Sequence, residues 1–174
     1  MNRESAERAQ TIAPPGGEPA VLKLEEFLPY RLNVCAVLVS QALSRIYSER
    51  YRIGVPEWRV LVTLGQYGVM TGKQIGIHST MHKTKVSRAV ALLEKRKLVT
   101  RRANRDDLRE ALLSLTPAGE EIYREAAPIA VEFGRQLLEV VDPADRPALE
   151  RALQRLIERS QQLTADLAKG PARR

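Results

Sequence analysis

Lys83, Thr84, Lys85, Ser87 and Arg88 place five hydrogen-bond donors within six consecutive positions. Two ammonium groups, one guanidinium and two hydroxyls at that density suit a surface rich in acceptors and negative charge, where Arg forks bidentately and hydroxyls adapt. A second set follows in Arg105, Asp107 and Arg109, where an acid two residues before an Arg can orient its guanidinium through a charge-assisted bond. From Lys73 through Arg109 and the adjacent Glu110, eleven Lys/Arg stand against four acids, which equals the whole-chain excess of +7. The rest of the chain is balanced. A positive field confined to one stretch predicts docking on a polyanion.

Other chemistries are poorly served. There is no Ser/His/Asp arrangement, no phosphate-binding glycine loop and no carboxylate pair with a plausible pocket, so no enzymatic activity is expected. His78 and His82 are the only histidines. They lie four apart, but no acid or cysteine between His78 and Lys85 completes a ligand set, and a helix break is expected between them, so neither a metal nor a cofactor is expected. Cys35 is the only cysteine, which excludes an internal disulfide and fits a reducing compartment. It sits on an apolar stripe beside Val34 and Ala36, which do not lower a thiol pKa. Inert packing is the first reading and redox sensing through Cys35 the alternative.

The elements that position these groups follow from periodicity and punctuation. With 174 residues and 44% hydrophobic content the chain can bury one substantial core. Residues 1–20, with Pro14, Pro15, Gly16, Gly17 and Pro19, read as a flexible tail, and 169–174 as another. Leu28, Leu32, Cys35, Val39 and Leu43 form one stripe, with Val34, Leu38, Ala42 and Ile46 beside it, which predicts a long helix from about Pro29 to Tyr51 buried on more than one side. Gly54 is expected to end it. Pro56 opens a second helix that runs to the Gly65/Gly68 breaks, Thr71 caps a third, and a fourth spans about His82 to Lys97. In the fourth, Val86, Ala89, Val90 and Leu93 mark the inward face and leave the five donors outward. Leu98–Ala103 and Ala111–Leu115 flank a polar turn and predict a β-hairpin with Arg105 and Arg109 at its tip. Thr116-Pro117 then starts a helix with Ile122, Ala126, Ile129, Phe133 and Leu137 facing inward, and Asp142-Pro143 starts a last one. Leu149, Leu153, Leu156, Ser160, Leu163 and Leu167 alternate spacings of four and three along that last helix. So narrow a seam predicts a partner helix from a second subunit.

Three short helices followed by a hairpin make a winged helix-turn-helix. The run "KTKVSRAVALLEKRKLVTRRANRDDLREALLSLTPAGEEI" resembles the MarR family of bacterial transcription regulators in its recognition helix, its basic exit, the Asp-x-Arg tip of its wing and its Leu-Thr-x-x-Gly entry to the next helix. The resemblance covers all but the two tails. It implies a mainly α fold with a small β-hairpin wing and long N- and C-terminal dimerisation helices: a first dimerisation helix in 21–54, a DNA-binding lobe in 55–116 and C-terminal dimerisation helices in 117–168. It also implies that Lys83, Thr84, Lys85, Ser87 and Arg88 lie in the DNA major groove, and that Arg109 enters the minor groove held by Asp107, with Arg105 alongside. An Arg in a narrow minor groove feels enhanced negative potential. The chain departs from the family at Thr80 and Lys97, where Gly is common, and at His82, where a good N-cap is usual.

On this reading the partners are double-stranded DNA, a second copy of the chain and a small-molecule effector, with no membrane. The family's effector cleft lies between the first helix and the DNA-binding lobe. Tyr30, Arg31, Asn33 and Trp58 could supply an apolar slot with positioned donors, and "FLPYRLNV" is similar to regulators of aromatic-acid catabolism, which implies an aromatic acid or its CoA thioester. The function expected is a dimeric, ligand-responsive repressor on a pseudo-palindromic operator. The alternative is a sequence-independent architectural DNA binder. No run approaches the roughly 20 apolar residues of a membrane span, and the N-terminus has charges and prolines in place of an apolar leader, so a cytoplasmic location is expected.

Overall fold

The computed structural model describes residues 21–105, 107 and 109–169. The tails expected at 1–20 and 169–174 lie outside these residues, the backbone of Lys169 apart. In chain order the elements are α1 (Leu28–Tyr51), α2 (Val55–Tyr67), β1 (Met70–Thr71), α3 (Gly72–Ser79), α4 (Lys83–Lys95), β2 (Val99–Ala103), β3 (Ala111–Leu115), α5 (Pro117–Leu137), a 3-10 turn (Leu138–Val140) and α6 (Arg146–Lys169). Two compact units divide between Gln41 and Ala42, inside α1. The fold is mainly helical with one small antiparallel sheet, a winged helix. No helix among the described residues is long and apolar enough to cross a membrane.

The core lies in the second unit. Val60, Leu61 and Leu64 of α2 meet Ile75 of α3, Val86, Ala89, Val90 and Leu93 of α4, and Leu113 of β3. The helical period seen in α4 is therefore the period of its burial. Tyr47, at the end of α1, stacks on Trp58 with ring centroids 4.8 Å apart and planes 10° from parallel. Burial pushes the Tyr47 phenol above its usual pKa. The sheet has the order β1-β3-β2, with Val99 opposite Leu115 and Ala103 opposite Ala111. The two-residue β1, pairing Met70 with Leu113, was too short to leave a periodic signal in the sequence.

Several boundaries differ from expectation for local reasons. α1 ends at Tyr51 as expected, but the terminator is Arg52, left-handed at φ 52°, and not Gly54. Gly54 N-caps α2 in an extended conformation, its N–H donating to Glu57 Oε2 at 2.9 Å. Gly65 does not break α2, which continues to Tyr67 and ends at Gly68, φ 78°. The missing side chain at Gly65 accommodates the Tyr123 ring, which would lie 2.5 Å from a Cβ there. Asp142 and Pro143 precede a turn and not the helix itself: Asp142 Oδ1 accepts the Ala144 N–H at 2.8 Å and α6 begins at Arg146.

The long helices carry open apolar faces. On α1, Leu28, Leu32, Cys35 and Leu38 are exposed while Val39, Leu43 and Ile46 are half-buried, so the stripe expected to be buried on more than one side is covered only toward its C-terminal end. On α5, Ala126 is buried and Ile122, Ile129 and Phe133 are half-buried, but Leu137 is 45% exposed. On α6, Leu153, Leu163 and Leu167 are 42%, 46% and 71% exposed.

Candidate nucleic-acid interface

The outward face of α4 is built by its inward one. Because Val86, Ala89, Val90 and Leu93 are buried, the helix period leaves Lys83, Thr84, Lys85, Ser87 and Arg88 exposed on the opposite side. The α3–α4 turn that presents this face is tight. Thr71 caps α3 by accepting the Gln74 N–H at 3.3 Å, and Gln74 Oε1 accepts the Thr71 N–H at 2.8 Å. Thr80 closes α3 at φ 53° and Lys97 follows α4 at φ 57°. The two positions where the family commonly has Gly are thus left-handed here, at a cost of roughly 1 kcal/mol each. His82 serves as the N-cap of α4, its Nδ1 accepting the Thr84 N–H at 3.4 Å. His78, one helix earlier, packs its ring 4.3 Å from that of Tyr67.

The hairpin brings a second cationic group beside the helix. Arg105 and Arg109 are both exposed at its tip, the Arg109 side chain at 95%. Asp107 Oδ1 accepts the Arg109 backbone N–H at 2.9 Å and lies 3.8 Å from its Nε. Asp107 therefore holds the backbone more closely than the guanidinium, which stays exposed. Between α3, α4 and the hairpin lies a concavity of about 620 Å³ whose polar rim includes Lys73, His82, Lys83, Ser87, Arg101 and Arg109. Lys73, part of the basic stretch, reaches this rim because α3 packs across α4.

Not all of the positive charge faces outward. Arg101 of β2 is held by Glu94 of α4 in a two-pronged pair, Nε to Oε1 at 2.9 Å and Nη2 to Oε2 at 3.1 Å. Arg96 turns toward backbone carbonyls at the end of α1. The free field is narrower than the sequence tally. It centres on the helix face and the hairpin tip.

Of the candidate effector residues, Tyr30, Arg31 and Asn33 are exposed on α1, whereas Trp58 is a core residue stacked behind Tyr47. Among the described residues no group of three or more His, Cys, Asp or Glu is arranged to hold a metal.

One expected result follows from the tip geometry. Arg109→Ala should weaken DNA binding and make the slope of log affinity against log salt shallower by roughly one, because one fewer counterion is released. Titration of both proteins against the same duplex at several salt concentrations reads this directly; identical slopes would remove Arg109 from the interface.

Comparison with known proteins agrees with this architecture. The profile of the MarR family matches residues 53–111. An uncharacterized HTH-type transcriptional regulator of Bacillus subtilis is 27% identical over 131 residues, covering 75% of this chain and 94% of that protein. A MarR/EmrR family transcriptional regulator from Acinetobacter sp. ADP1 superposes with TM-score 0.74 at 27% identity, covering 81% of this chain and 99% of its own. A MarR family transcriptional regulator from Streptomyces coelicolor, solved in complex with DNA, superposes with TM-score 0.71 at 26% identity, covering 82% and 92% respectively. With a winged lobe and an outward basic helix beside these matches, residues 53–111 match the MarR family's domain, and the chain is similar over most of its length to MarR family transcriptional regulators.

Proposed function

We propose that this regulator is a homodimeric repressor that reads a pseudo-palindromic operator and is released by a small-molecule effector. The observation that carries the DNA-reading part is the coincidence of five exposed donors on one face of α4 with the exposed Arg105 and Arg109 at the neighbouring hairpin tip. Lys and Arg can donate to guanine O6 and N7 or to phosphates, and the hydroxyls of Thr84 and Ser87 suit either. The dimer part is supported by the open seam of α6, where Leu153, Leu163 and Leu167 are each at least 42% exposed in a helix whose heptad-like spacing suits a partner. Two copies would present recognition helices about one turn of DNA apart, roughly 34 to 36 Å. The effector part is supported by Tyr30, Arg31 and Asn33, exposed aromatic and donor groups on α1; an aromatic acid or its CoA thioester is the class they suit. Such a ligand acts only by binding the DNA-incompetent state more tightly.

The test is sedimentation of the full chain followed by competition between a selected genomic duplex and scrambled DNA. A dimer with a preference of about 10³-fold or more supports the repressor reading. A ratio near one would instead make the protein an architectural DNA binder. A thermal-shift screen of aromatic acids and their CoA esters, repeated with operator present, identifies the effector through its linkage to stability.

A further inference from the structure

Arg96 is the C-cap residue of α4, but its guanidinium serves another helix. Nη2 donates to the Tyr51 carbonyl at 2.7 Å and Nη1 to the Arg52 carbonyl at 2.9 Å. These carbonyls stand at the C-terminal end of α1, where intrahelical donors have run out and the dipole is negative. A planar fork suits two successive carbonyls; a Lys ammonium is a point donor and would hold one. The same turn of α1 is secured from another side, since Arg50 Nη2 and the Tyr51 hydroxyl both donate to Glu125 Oε2 of α5, at 2.9 and 3.0 Å. Burial, with that hydrogen bond second, raises the Tyr51 pKa, so its phenol stays a donor. The left-handed residues Arg52 and Lys97 reverse the chain on either side of the Arg96 contact.

From this arrangement we infer that Arg96 is a positioning residue for DNA recognition: it bolts the exit of the recognition helix to the end of α1 and thereby sets the separation of the half-sites that the dimer accepts. It does so without touching DNA. The inference rests on the dimeric operator reading above. The lever is long enough to matter. A 13-residue helix is about 20 Å long, so tilting α4 by about 10° around its clamped end moves its reading end by roughly 3 Å, close to one base-pair step.

The experiment uses full-length parent, Arg96→Ala and Arg96→Lys, with the duplex that the parent enriches from a random pool and its derivatives with one base pair inserted or removed between half-sites. The parent should discriminate against altered spacing by tenfold or more, roughly the effect of a mismatched base pair. Arg96→Ala should lose most of that discrimination, and Arg96→Lys part of it, while base preference within each half-site and the salt slope stay unchanged. Unchanged spacing discrimination overturns the assignment. If it is accompanied by a shallower salt slope, Arg96 is a phosphate contact; if by a lower melting temperature alone, it is merely structural. Should Arg96→Ala fail to fold, Arg96→Lys decides by the same comparison. A monomeric parent, or an enriched pool with no paired half-sites, overturns the operator reading and this inference with it, whereas a dimer with undiminished spacing discrimination in the variants overturns this inference alone.

Discussion

Gly119→Ala should destabilise the protein by at least about 3 kcal/mol, at the severe end of overpacking, and lower the melting temperature by roughly 10 °C. A Cβ at this position would lie 2.1 Å from the Leu98 carbonyl oxygen and 3.1 Å from its carbon. Leu98 cannot easily retreat, because it is buried and its carbonyl accepts the Thr116 N–H at 3.0 Å. Nor can the start of α5 shift freely. Thr116 Oγ1 accepts the Gly119 N–H at 3.2 Å and donates to the Lys97 carbonyl at 2.7 Å, so the helix cap and the start of β2 are tied through one hydroxyl. Relieving the clash would break at least one of these bonds. Gly134→Ala is the control: nothing lies within 4 Å of its Cβ, and it should be neutral or stabilising by up to about 1 kcal/mol from helix propensity. Thermal melts of both variants settle the matter; a Gly119→Ala protein melting within about 2 °C of the parent, well inside the spread of ordinary surface substitutions, would show that α5 relaxes easily.

Arg88→Ala should weaken operator binding by roughly 1 to 3 kcal/mol and relax discrimination at one position in each half-site, as expected for a residue that contacts a base edge. The side chain is exposed on the outward face of α4 and makes no hydrogen bond or ion pair to any other described residue. Truncation should therefore leave the fold intact and report on DNA alone. Arg101 makes an instructive contrast, since removing it strands Glu94 and disturbs the junction of α4 with β2. The measurement is affinity for a panel of single-base operator variants. A uniform loss over every sequence, with no position relaxed, would move Arg88 from base reading to phosphate contact, and unchanged affinity would take it out of the interface.

Much of this molecule was legible residue by residue. Period 3.6 along Val86, Ala89, Val90 and Leu93 placed the donors of α4 outward, and the Thr71 and Thr116-Pro117 caps marked helix starts because capping depends on neighbours within one turn. The Asn104 to Asp107 stretch announced the hairpin for the same reason. Glycines misled where their role was non-local: Gly65 resembles a breaker, yet it lies inside α2 to accommodate a tyrosine 58 positions later. Terminators also depended on context, with Arg52, Thr80 and Lys97 taking left-handed conformations that glycine would adopt more cheaply.

The order of residues alone was enough to localise the excess charge, to set the faces of the helices and to place two arginines at a hairpin tip, since each of these depends on composition or on periods of a few residues. Which arginines remain free to meet DNA is a different kind of fact. Arg96 and Arg101 look like Arg88 in the sequence, and their fates diverge only because folding brings the carbonyl end of a helix 44 positions away, or an acid across a strand, within hydrogen-bonding reach. A charge acts where it is left unpaired, and pairing is settled by packing.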